Sequence, residues 1–192
     1  MNITVFGSGY VGLVQAAIFA DVGHKIICMD VDAKRVERLR SCEIPFFEPG
    51  LAGLVQNAMD NGLLSFTTDA ERAVRDSDFL FVCVGTPAAD DGAADMRYVT
   101  SVADSIAEHM DKRKVVITKS TVPVGTTDKV LAHIRARLAE LGVDTVGIDD
   151  GRERRAADIG RDPGCAAPVA GGRRAFLGCD GKCGFNHRQC RC

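Results

Sequence analysis

The chain has 192 residues, of which 46% are hydrophobic and 26% charged, and its formal net charge is -2. Such a balance is expected of an ordinary globular chain with one well-buried domain and a small appendage. No apolar run approaches the roughly 20 residues that span a bilayer, and the opening MNITVFGSG has no basic n-region, so a cytoplasmic protein with no membrane partner is the expectation.

Strand and helix patterns then alternate. Ile3–Phe6 is an apolar run ending in glycine, and Val11–Val22 reads as a helix with a small-residue face. Lys25–Met29 is the second strand and Ala33–Arg40 a charged helix. A loop punctuated by Pro45 and Pro49 leads to a helix over Leu51–Asn61 that Gly62 ends. Leu64–Thr67 is a weaker strand and Ala70–Arg75 a short helix. Phe79–Val84, FLFVCV, is apolar without alternation, the pattern of a strand buried on both faces of a parallel sheet. Met96–Met110 is helical, Val115–Thr118 a strand, and Thr127–Leu141 a long helix closed by Gly142. This rhythm predicts an α/β fold, a Rossmann-type doubly wound parallel sheet that stops after the fifth strand and its helix.

Gly7-Ser8-Gly9-Tyr10-Val11-Gly12 fits G-x-G-x-x-G where the first strand turns into the first helix. Gly7 allows the tight turn, Gly9 lets a pyrophosphate approach the backbone, and Gly12 lets the helix pack on the strand. The N–H groups near Tyr10 and Val11, with the helix dipole, face the phosphates. Asp30 closes the second strand 18 residues after Gly12, close to the spacing of a ribose-binding acid, and favours NAD over NADP. The alternative is that Asp30 caps the next helix, a task Asp32 is also placed to do. Arg35 is placed either to hold the adenosine end or to bind a 2′-phosphate. Two loops, Val84-Gly85-Thr86-Pro87 and Lys119 to Thr126, follow the fourth and fifth strands at the edge where an open α/β sheet binds its ligand, although either alone is ordinary turn chemistry.

At this point the chain resembles a known family. FGSGYVGLVQA at 6–16, EIPFFEPGL at 43–51, VGTP at 84–87 followed by DGAADMRYV at 91–99, and KSTVPVGTT at 119–127 are similar, in order, to the nucleotide-sugar 6-dehydrogenases. The similarity is strongest to those acting on UDP-glucose, with those acting on GDP-mannose as near relatives, and it covers about residues 1–145. It implies oxidation of a sugar C6 alcohol to a carboxylate in two steps with two NAD. Gly7, Gly9 and Gly12 are then the phosphate loop, Asp30 the ribose acid, Thr86 a neighbour of the nicotinamide side, and Thr121 the residue that positions the catalytic water. Glu48 matches a family position in the EPGL turn to which no role is assigned.

The family continues into a sixth strand, an N-P-E-F-L segment, a central helix with lysine and asparagine, and a G-G-x-C-x-P-K-D segment with the nucleophilic cysteine. Oxidising an aldehyde by hydride transfer needs a tetrahedral adduct, formed in the family on that thiol. None of those segments occurs here. The expectation is therefore the NAD-binding part of a UDP-glucose 6-dehydrogenase, inactive as an isolated chain. The alternatives are a non-catalytic NAD-binding module and a structural or metal-binding protein working through its tail. Loss of the sixth strand would leave an open sheet edge, which Val143–Ile148 fills only in part, so a marginal, aggregation-prone domain of unassigned oligomeric state is expected.

Residues 146–192 are a different kind of sequence. They carry 9 Lys/Arg against 6 Asp/Glu where residues 1–145 carry 15 against 20, and 28 of the 47 are Gly, Arg, Ala or Cys. That is what a GC-rich message yields out of frame, and an aberrant, disordered end is the expectation. Cys179, Cys183, His187 and Cys190 form C-x3-C-x3-H-x2-C, an atypical zinc spacing, and a disulfide framework is the other alternative. Eight arginines with few aromatics and no helical register give no expectation of nucleic-acid recognition.

Overall fold

The computed structural model describes residues 1–88 and 92–142. The expectations for the tail, the zinc pattern and Val143–Ile148 fall outside those residues. The described chain runs β1 (Asn2–Phe6), α1 (Tyr10–Asp21), β2 (Lys25–Met29), α2 (Ala33–Arg40), α3 (Leu51–Asp60), β3 (Leu64–Thr67), α4 (Ala70–Arg75), β4 (Phe79–Val82), α5 (Arg97–His109), β5 (Val115–Thr118) and α6 (Thr126–Glu140). The strands form one parallel sheet in the order β3-β2-β1-β4-β5. This is the expected Rossmann-type arrangement, with each element within two residues of its expected ends.

Two apolar cores sandwich the sheet. Leu13, Ala16, Ala17 and Ala20 of α1 share one core with Val36 and Leu39 of α2 and with Leu51 and Val55 of α3. Ala73 and Val74 of α4 share the other with Val102 and Ile106 of α5 and with Val130, Ile134 and Leu138 of α6. The buried alanines of α1 are what its small-residue face predicted: short side chains let the helix lie close to the sheet. Successive crossovers therefore go to one face from β1 to β3 and to the other from β3 onward, and the reversal falls between the adjacent strands β1 and β4.

β4 departs from expectation in two ways. It stops at Val82 rather than Val84, because its neighbours end there. Gly7 turns away to donate its N–H to Met29 O at 2.7 Å, and the Lys119 and Ser120 N–H groups both converge on Val82 O. Nor is the strand buried on both faces. Leu80 and Val82 are fully buried, whereas Phe79 and Phe81 are half-buried, and Phe81 is covered in part by the Phe19 ring 5.0 Å away.

The two sheet edges differ. At β3 the Arg40 guanidinium donates from Nε and Nη2 to Phe66 O at 3.1 and 3.0 Å, blocking further strand addition there. At β5, among the described residues, no strand lies on the far side, and the Thr118 hydroxyl is buried without a partner.

Lys114, just before β5, is buried despite its charge. Its Nζ donates to Val74 O at 2.6 Å, Arg75 O at 3.0 Å and Ser77 O at 2.7 Å, so it occupies the carbonyl-rich end of α4. Lys114→Met keeps the apolar stem but leaves three carbonyls without their donor. Thermal unfolding is expected to show a loss of about 2 kcal/mol; an unchanged melt would remove this role.

Candidate functional site

A cleft of about 440 Å³ opens at the C-terminal ends of β1, β2 and β4, where the strand order reverses. Its walls include Gly7, Gly9, Asp30 and Arg35 from the residues singled out by sequence. Gly7 leaves β1 with φ +97°, a conformation that disfavours any side chain, and a Cβ there would lie 2.8 Å from Cys83 O. Gly12 is more tightly held: a Cβ would stand 1.8 Å from Gly7 O, well inside contact distance. Gly9 is the opposite case, since a Cβ there would meet no atom within 4 Å. The turn is thus packed on its inner side and open on its outer side.

α1 begins at Tyr10 with Gly9 as its N-cap and no side-chain cap. The first bond back into the helix is Leu13 N–H to Gly9 O at 2.9 Å, which leaves the N–H groups of Tyr10, Val11 and Gly12 without an acceptor in the helix. Uncapped donors at the positive end of a helix, beside an open backbone, suit a pyrophosphate.

Asp30 follows β2 and is buried. Its Oδ2 accepts from Ser8 N–H at 2.8 Å, from Ser8 Oγ at 2.6 Å and from Arg35 Nη1 at 3.2 Å. Its Oδ1 accepts only from Asp32 N–H at 3.0 Å, so it is the oxygen with capacity for a ligand hydroxyl. Burial pushes the carboxyl pKa up, but the Ser8 hydroxyl, the Asp32 and Ser8 amides and the Arg35 charge outweigh it, and the net shift is downward. Capping of α2 belongs to Asp32, whose side chain accepts from the Lys34 and Arg35 amides. Asp30 is left with the cleft. Sequence reasoning passed over Ser8, although its place between two glycines of the turn puts it beside the end of β2.

Thr86 and Thr121 come together: Thr86 Oγ1 donates to Thr121 O at 2.7 Å, tying the loop after β4 to the loop after β5. Ser120, also passed over, reinforces the tie by donating to Val84 O at 2.7 Å. Neither threonine lines the main cleft, and both stand at its β4–β5 side. The wall facing Asp30 is α5, through Tyr98, Ser101, Val102 and Ser105. Their spacing of three, four and seven residues from Tyr98 marks one helix face, a pattern present in the sequence but without a glycine or acidic motif to single it out.

Comparison with known proteins fits this geometry. The model for the UDP-glucose/GDP-mannose dehydrogenase family, NAD binding domain, matches residues 1–154. The chain belongs to this family. UDP-glucose 6-dehydrogenase YwqF of Bacillus subtilis is 44% identical over 140 residues, covering 73% of this chain and 32% of the relative. Among solved structures, a UDP-glucose dehydrogenase from Pyrobaculum islandicum superposes with TM-score 0.70 at 40% identity, over 74% of this chain and 34% of that one. A ternary complex of GDP-mannose dehydrogenase from Pseudomonas aeruginosa superposes with TM-score 0.72 at 35% identity, over 78% and 35%. This chain therefore spans about a third of the length of these dehydrogenases.

NAD is the cofactor of this dehydrogenase domain, and the cleft fits it. Dinucleotide sites on such sheets combine a glycine turn that admits the pyrophosphate with an acid near the end of the second strand for the ribose, and the open side of Gly9 and the buried Asp30 after β2 suit both. No described helix is long and apolar enough to cross a membrane, and no described group of His, Cys, Asp or Glu side chains is arranged to hold a metal ion.

Proposed function

We propose that the chain supplies the NAD-binding part of a UDP-glucose 6-dehydrogenase, a cytoplasmic enzyme that makes UDP-glucuronate for polysaccharide synthesis. The observation that carries this is the cleft itself: an open Gly9 and a buried Asp30 form its wall at the reversal point of the sheet, and the uncapped first turn of α1 follows directly after Gly9. UDP-glucose is preferred to GDP-mannose because the solved UDP-glucose dehydrogenase is 40% identical, against 35% for the GDP-mannose enzyme.

When bound, NAD supplies the hydride acceptor for both oxidations at C6. Gly7, Gly9 and Gly12 shape the turn that admits the pyrophosphate, and the Tyr10 and Val11 amides donate to it. Asp30 accepts from the adenosine ribose, while Arg35, half-exposed and paired with Asp30 at 3.2 Å, borders the adenine end. Thr86 stands on the nicotinamide side, and Thr121 positions the catalytic water.

In this reading the domain is residues 1–145 and the chain has no turnover of its own. Cys83, the described cysteine on the cleft wall, is buried, and burial pushes its thiol up to about 11. A thiol held protonated at neutral pH is a poor nucleophile for an aldehyde. Cys28 is wholly buried and its thiol is raised further. Calorimetry with NAD and absorbance of NADH with UDP-glucose test the two halves of the proposal. Saturable NAD binding without NADH production is the expected result. Production of NADH that depends on UDP-glucose would overturn the predicted inactivity, and absence of NAD binding would overturn the assignment of the cleft. Reading the coding DNA of residues 146–192 in all three frames tests the tail: a continuation into N-P-E-F-L in another frame supports an out-of-frame end.

A further inference from the structure

The motif EIPFFEPG at 43–50 takes no part in the cofactor contacts above. It joins α2 to α3 without regular secondary structure. Ile44, Phe46 and Glu48 are half-buried while Pro45, Phe47 and Pro49 are exposed, so alternate side chains turn inward as along an extended strap. Ile44 and Phe46 pack against the core under α1 to α3. The third inward position continues the pattern with a carboxylate instead of an apolar side chain.

That carboxylate has one specific partner. Tyr10 Oη donates to Glu48 Oε2 at 2.7 Å, and the Tyr10 ring lies 5.2 Å from the Phe46 ring at an interplanar angle of 57°. Tyr10 is therefore held at two points by the strap, one apolar and one polar. It is also the first residue of α1, next to Gly9 of the cleft wall, and its amide is one of the uncapped donors of that helix. The far end of the strap is fixed as well, by the Glu43 N–H donating to Arg38 O at 2.8 Å and by Arg38 Nη2 donating to Glu43 Oε1 at 2.6 Å.

We propose that Tyr10 and Glu48 form a latch fastening the 43–50 strap to the first turn of α1, and that they act as positioning residues for NAD. The inference rests on the assignment of the cleft to NAD. An uncapped first turn frays readily, and a frayed turn must be ordered again when a ligand binds. With its side chain clamped, Tyr10 keeps its own amide and that of Val11 aligned toward the cleft before the dinucleotide arrives. The pair also accounts for Glu48 in the EPGL turn: its charge is engaged by the phenol, beside a helix end that has to attract phosphates.

The test uses the whole 192-residue chain with Tyr10→Phe, Glu48→Ala, Glu48→Gln and the double substitution Tyr10→Phe/Glu48→Ala. NAD affinity is measured by calorimetry, and alkaline absorbance titration follows the two tyrosines, which no tryptophan obscures. Tyr10→Phe and Glu48→Ala are each expected to weaken NAD binding about fivefold. The double substitution should cost no more than either single one, as for two halves of one contact. Glu48→Gln retains an acceptor and should recover most of the affinity. In the titration, one phenol of the unsubstituted chain should ionise above the ordinary tyrosine range, since Glu48 raises Tyr10, and should return toward that range in Glu48→Ala.

Additive losses in the double variant would overturn the latch. So would a Glu48→Ala protein whose tyrosine titration shifts while its NAD affinity stays the same. Absence of NAD binding in the unsubstituted chain would instead defeat the assignment of the cleft. The two failures are distinguishable because the tyrosine titration reports the Tyr10–Glu48 pair without any cofactor.

Discussion

Gly12→Ala is expected to lower the stability of the domain by about 3 kcal/mol and to abolish measurable NAD binding, whereas Gly9→Ala is expected to fold normally and still bind NAD poorly. The contrast follows from where each new methyl group would go. At Gly12 it would stand 1.8 Å from the carbonyl oxygen of Gly7, with the Cys83 Cβ at 3.3 Å. The obstacle is backbone in a turn that is itself wedged against Cys83, so no rotamer change relieves the clash. α1 has to lift from the sheet, and its buried Ala16, Ala17 and Ala20 lose contact with the strands. A loss of that size lowers the melting temperature by roughly 6–12 °C in a domain of this length.

At Gly9 the methyl group meets nothing within 4 Å, and φ -70° and ψ -171° suit alanine. Its stability should stay within about 0.5 kcal/mol of the unsubstituted chain. The methyl group would occupy the open side of the turn, where the pyrophosphate is proposed to lie. Thermal melts and NAD calorimetry on both variants separate the two effects. Gly9→Ala with undiminished affinity would show that the dinucleotide does not pass over this turn.

Asp30→Ala is the second large effect. It removes an acceptor of four donors, leaving the buried Ser8 hydroxyl and amide without their partner and Arg35 with only the longer 4.0 Å contact to Asp32. Loss of charged hydrogen bonds to the ribose should weaken NAD binding by about 10- to 100-fold. Arg35, released from Asp30, then favours a 2′-phosphate, so the NADP to NAD affinity ratio should rise. A ratio that does not move would mean Arg35 faces elsewhere when ligand is bound. The pH dependence has a definite sign. A carboxyl whose folded pKa lies below its unfolded value contributes stability that is fully present above the unfolded value, near 4, and is lost as pH falls through the folded one. Asp30→Asn should remove that part of the acid limb, so the variant's melting temperature should fall less steeply than that of the unsubstituted chain in this window.

Much of the fold was legible because its signals are local. The runs at Ile3–Phe6 and Lys25–Met29, Gly62 after α3, Gly142 after α6 and the small residues of α1 are each set by a few neighbouring side chains. Both Gly62 and Gly142 take positive φ where they close their helices, as their positions imply. β4 was read less well. Val84 and Cys83 continue its apolar run, but a strand ends where its partners end, and those partners lie far away in sequence. The same limit applies to Phe79 and Phe81, whose cover depends on how far Phe19 of α1 reaches across the sheet.

The sequence alone determined the type of sheet, the position of the glycine turn and the acid after β2, because turn geometry and strand periodicity are short-range properties. It also carried the family resemblance through the order of its motifs. Only the tertiary structure decided how the acid is used: Asp32 takes the helix cap, Ser8 holds one oxygen of Asp30, and the other stays available. Tertiary structure also joined Thr86 to Thr121, brought α5 over as the facing wall, and paired Tyr10 with Glu48, 38 residues away. Each of these depends on which hydrogen-bond partners arrive from distant segments once the two cores have closed on the sheet, and no local pattern specifies that choice.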